Sequence, residues 1–147
     1  MPAMLAGLLK TAATDSKLKG LVPHIDDSRL NITAIDQARP WVVGTLAHHA
    51  PVLVVTATAR EAEDLVAELQ AMLGDKVAMF PAWETLPHER LSPGVDIVGN
   101  RKKVLANLDE YSVVVTPARG FSQPVLPDAQ SLTVKVDEDH ELNELVD

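Results

Sequence analysis

The chain has 147 residues, 46% of them hydrophobic but only 3% aromatic, so one domain's worth of core must be built from Leu, Val, Ile and Ala. A formal net charge of −8 argues against a surface that neutralises phosphates and makes a protein the expected partner. The absence of cysteine excludes disulfides and thiolate chemistry and fits the cytoplasm, and no apolar run nears the roughly 18 residues needed to span a membrane.

In chain order, Leu5, Leu8, Leu9 and Ala12 recur at helical spacing with no basic stretch before them, which predicts an amphipathic helix rather than a signal peptide. A short helix over residues 15–21 is ended by Gly20 and Pro23. Residues 30–35 alternate and predict a half-buried strand. Asp36 can cap a helix reaching about residue 49, with Trp41, Val42, Leu46 and Ala47 toward the sheet. Residues 52–56 form a continuous apolar run, the candidate central strand of a parallel sheet.

Thr58 and Glu61 are spaced as a capping box, and Ala62, Leu65, Val66, Leu69, Met72 and Leu73 make an apolar stripe that Gly74 ends. A strand over residues 76–80 runs into a proline-rich loop. Asp96 can cap a helix with Ile97, Val98, Val104, Leu105 and Leu108 inward and Arg101, Lys102 and Lys103 in water. Residues 112–116 predict another buried strand. Residues 124–127 read as a linker, 132–136 as an exposed or edge strand, and 137–147 as the start of an acidic helix with Leu142, Leu145 and Val146 inward. A stripe that has only begun is expected of a piece of a longer chain. The succession predicts an α/β fold, a mainly parallel sheet with helices on both faces.

A phosphate-binding turn needs glycines that free successive N–H groups, a lysine, and a Ser or Thr for magnesium. The turn at residues 35–40 has neither glycine nor lysine, Asp36 repels phosphate, and Pro40 removes a donor; Arg39 is its only cation. The expectation is that no nucleotide binds there. His48 and His49 are adjacent on a helix and point about 100° apart, so no metal site is expected. Glu61, Glu63, Asp64 and Glu68 read as a solvated helix face, and no nucleophile motif is present, so no catalytic residue is assigned. The cluster Arg101, Lys102 and Lys103 is read as an outer helix face, with nucleic-acid contact as the alternative. In the loop, Trp83, His88, Glu89 and Arg90 can anchor a partner or a neighbouring domain, because Trp and Arg dominate interface energies. Packing of Trp83 and the prolines against their own domain is the other reading.

Three stretches, VLVVTATAREAEDLVAEL from Val52, FPAWETLPHERLSPGVDIVGNR from Phe80 and SVVVTPARGFSQP from Ser112, together resemble the amino-terminal module of the transcription-repair coupling factor family, Mfd, most closely its actinobacterial members. The resemblance implies a UvrB-like subdomain with a degenerate P-loop-like site over residues 25–127, an amino-terminal helical segment at 1–24, and the start of a second subdomain at 128–147. It implies a DNA-repair factor whose ATP- and magnesium-dependent translocase motor lies in other domains. The rest of that chain, UvrA, RNA polymerase and DNA are the implied partners, with UvrA met largely beyond residue 147. The reading is a non-catalytic scaffold that supports UvrA recruitment and restrains the motor. A nucleotide-hydrolase or helicase lobe with an atypical phosphate loop, or a DNA-contacting lobe using Arg101 to Lys103, are the alternatives.

Overall fold

The computed structural model describes residues 3–83 and 94–125. Three strands, β1 (Val52–Thr56), β2 (Val77–Met79) and β3 (Val113–Pro117), form a parallel sheet in the order β1-β3-β2. β3 is central, with Val52 opposite Val113 on one side and Val77 opposite Val113 on the other. Helices α1 (Ala6–Ala12), α2 (Ser16–Lys19), α3 (Arg39–Ala47), α4 (Ala59–Leu73), α5 (Val95–Ala106) and α6 (Ala118–Ser122) complete the α/β architecture.

The core lies between α4 and one face of the sheet. Ala62, Leu65, Val66 and Leu69 from α4 pack with Val77, Val113 and Val115, and Val43 joins them from α3. Burying each of the larger side chains is worth about 1.5–3 kcal/mol, enough to select the helix face that the stripe predicts. α4 begins as expected: Glu61 N–H donates to Thr58 Oγ1 at 3.2 Å and Thr58 N–H donates to Glu61 Oε2 at 3.1 Å. It ends at Gly74, whose φ of 63° and ψ of −137° suit glycine. α1 packs on α3 and α4; its Leu9 is buried and sits where a Cβ on Gly44 would come within 3.0 Å of Leu9 Cδ1.

Four expectations are corrected. Residues 30–35 form no strand: Leu30, Ile32 and Ile35 are exposed, and in this run the backbone hydrogen bond found among the described residues is Ala38 N–H to Ile35 O. Alternation specifies a strand only where a neighbour completes the ladder, and none of the described residues does so. The helix after it starts with a 3-10 turn, Asp36–Ala38, and buries Pro40, Val43, Gly44 and Thr45 rather than the face containing Trp41 and Val42. Asp36 does not cap it but pairs with Arg39 at 3.3 Å. α5 is preceded by Gly94 and has no side-chain cap, so Asp96 does not serve as one. The expected segments at 132–136 and 137–147, with Leu142, Leu145 and Val146, lie outside the described residues.

Candidate functional site

The carboxyl ends of the strands of an α/β sheet gather the loops on which ligands and partners act. Here that edge holds the end of each strand, the start of α4, and the segment that leaves β2 toward the proline-rich loop. A cleft of about 600 Å³ opens there, lined among others by Thr58, Glu63, Met79, Trp83, Pro117 and Arg119.

One side chain organises the edge, and it is one that charge alone misplaces. Arg101 is not on the outer face of α5 but 2% exposed. Its Nη1 donates to Pro81 O at 2.7 Å and Gly120 O at 3.3 Å, and its Nη2 donates to Pro124 O at 3.2 Å and Gln123 O at 3.5 Å. The guanidinium lies 4.1 Å from the centroid of Phe80 and 4.6 Å from that of Trp83. Burial lowers its pKa from the ordinary value, but a guanidinium remains protonated at neutral pH. Carbonyl dipoles and two ring faces thus take the place of a carboxylate among the described residues. The sequence carried a usable signal: Arg101 stands four residues after Ile97 and three before Val104, on the apolar stripe, whereas Lys102 and Lys103 point elsewhere and are exposed.

Trp83 is buried, 8% exposed, and packs on its own domain. Its backbone N–H donates to Gln123 Oε1 at 2.6 Å and its Nε1–H donates to Pro124 O at 3.2 Å. Gly120 permits this close approach, since a Cβ there would meet Thr116 Oγ1 at 2.9 Å and Ala82 N at 3.1 Å. The last described residues before the loop are therefore stapled to the turn that follows α6. His88, Glu89 and Arg90 lie outside the described residues.

Elsewhere the chemistry is sparse. The 3-10 turn and the start of α3 present the Asp36–Arg39 pair and the ring of Pro40. The start of α4 is occupied by its own capping box, whose Glu61 carboxylate would repel an anion. Glu61, Glu63, Asp64 and Glu68 are exposed along α4, and His48 and His49 are exposed after α3. Among the described residues no three His, Asp or Glu side chains converge as metal ligands, and no helix is long and apolar enough to cross a membrane.

No family profile matches the chain. It is 44% identical, over 134 residues covering 84% of its length, to the transcription-repair-coupling factor of Mycobacterium bovis, and equally so to that of Mycobacterium tuberculosis. The chain is a relative of the transcription-repair coupling factors. A 38% identical match over 77 residues, 51% of the chain, extends the relationship to the coupling factor of Haemophilus influenzae. The chain spans 11% of the length of the mycobacterial coupling factors and 7% of the other. Together with the parallel α/β sheet, the match agrees with one module of a much longer repair protein.

Proposed function

We propose that this chain is a non-catalytic scaffold, the amino-terminal UvrB-like subdomain of a transcription-repair coupling factor. Its role is to support the recruitment of UvrA to stalled RNA polymerase and to restrain the motor through contacts between domains. The observation that carries this reading is the 44% identity over 84% of the chain to the mycobacterial coupling factors. The division into residues 1–24, 25–127 and 128–147, cytoplasmic location, and a motor that uses ATP and magnesium elsewhere in the polypeptide belong to the same proposal.

The chemistry of the strand ends supports a scaffold over an enzyme. A phosphate at the start of α3 would face Asp36 and lack the N–H of Pro40, and one at the start of α4 would meet Glu61. The loop bearing His88, Glu89 and Arg90, with its base fixed by Trp83, is the proposed partner or interdomain surface.

Calorimetric titration of the chain with magnesium-ATP tests the non-catalytic part. The expected result is no heat of binding at millimolar nucleotide. Saturable binding that disappears in Arg39→Ala would make the turn before α3 a working phosphate site and refute the reading. The recruiting part is tested by titrating UvrA into the full-length polypeptide; loss of affinity on deleting residues 1–147 is expected, and unchanged affinity would count against it.

A further inference from the structure

A pocket of about 410 Å³, sharing no lining residue with the cleft at the strand ends, opens where the end of α1, α2 and the 3-10 turn Val22–His24 lie beside α3. Its volume falls within the roughly 300–1,000 Å³ of small-molecule sites, and like them it is mainly apolar with a few polar groups. Ala13, Val22 and Pro23 supply the apolar wall. Thr45 forms the floor, 1% exposed, and its Oγ1 is buried without a hydrogen-bond partner. A threonine inside a helix can turn its hydroxyl to the carbonyl one turn back, and buried hydroxyls are almost always bonded. An unbonded one at the bottom of a pocket is a donor and an acceptor that nothing in the chain uses.

The structure assigns this pocket to a small organic anion, a monocarboxylate with a compact apolar body. The lining sets the sign of the charge: Lys19 is exposed at the mouth with no ion-pair partner among the described residues, His49 lines the pocket too, and no Asp or Glu does so among the described residues. Thr14 Oγ1–H already donates to Thr11 O at 2.7 Å, which leaves the Thr45 hydroxyl and the Lys19 ammonium as donors to a carboxylate. The flexible stem of Lys19 lets its ammonium fold over a group that accepts from Thr45. A cationic ligand would meet Lys19 and find no counter-charge. The chain's net charge of −8 repels anions in general, so an anion held here is held by the pocket. The inference is independent of the scaffold role proposed above.

Benzoate is the probe, followed by proton–nitrogen correlation spectra of the 147-residue chain at constant ionic strength. Saturable shifts centred on the amides of Thr14, Lys19, Thr45 and His49 are expected, with benzyl alcohol and benzylamine binding at least about fivefold more weakly. Thr45→Val exchanges the hydroxyl for a methyl of the same shape. It is expected to weaken benzoate about fivefold and to leave the melting temperature unchanged or raised, because no bond within the chain is lost. Lys19→Gln is expected to weaken benzoate about threefold or more. No saturation below about 20 mM benzoate would overturn the inference, as would shifts scattered over Lys and Arg residues elsewhere, which mean an adventitious ion only. Equal affinity for benzyl alcohol would reduce the site to an apolar cavity and overturn it as well. Undiminished benzoate binding by Thr45→Val with a lowered melting temperature would show the hydroxyl bonded within the chain and refute its role. Should that variant fail to fold, Lys19→Gln decides alone, and unchanged affinity there refutes the proposal.

Discussion

Arg101 shows how much a single cation can hold when dipoles and rings replace a counter-charge. Truncating it would remove the guanidinium donors from the carbonyls of Pro81 and Gly120, leave Pro124 O with Trp83 Nε1–H, and open space between Phe80 and Trp83. We expect Arg101→Ala to destabilise the chain by about 3 kcal/mol, read as a lower urea midpoint. Arg101→Lys should recover less than half of that, because an ammonium cannot reach several separated carbonyls while lying flat on two rings. A merely electrostatic role would instead let lysine restore the midpoint. The residue was legible in the sequence by its helical phase and illegible by its charge. Two lysines beside it give the appearance of a basic patch, but neighbours on a helix face different ways.

Local signals and long-range ones part company at the scale of elements. The Thr58 box and the stripe of α4 are set within a few residues of one another, and the structure has both where the sequence predicts them. Thr58→Ala is expected to cost about 1 kcal/mol, measured as a shift of the urea midpoint without a change in slope. Residues 30–35 carry an equally regular alternation and form no strand, because a ladder partner is not a property of the segment itself. The inward face of α3 was misread in part, Ala47 packing on the core as expected but Val43 and Gly44 lying inward instead of Trp41 and Val42, for a related reason. Gly44 lies inward because Leu9, from far earlier in the chain, needs the space, and no pattern within α3 records that demand.

For the whole molecule, the burial of Arg101 leaves Lys102 and Lys103 as the exposed remnant of the basic cluster, on a chain of net charge −8. The chain is therefore expected to show no duplex DNA binding in a mobility-shift assay even at about 50 mM salt, where counterion release is most favourable. Retention that weakened steeply with added salt would restore the DNA-contacting alternative. The α/β class and three of the strands were legible because buried parallel strands are short aliphatic runs; the strand order was not, because it depends on where the crossovers land. That order has a consequence for synthesis. β1 and β2 meet only through β3, the last of the three to be made, so a nascent chain paused anywhere before residue 113 holds two strands with no ladder between them. The sheet must close in one late event, and until then its aliphatic runs are in the keeping of the ribosome exit and whatever chaperones wait there.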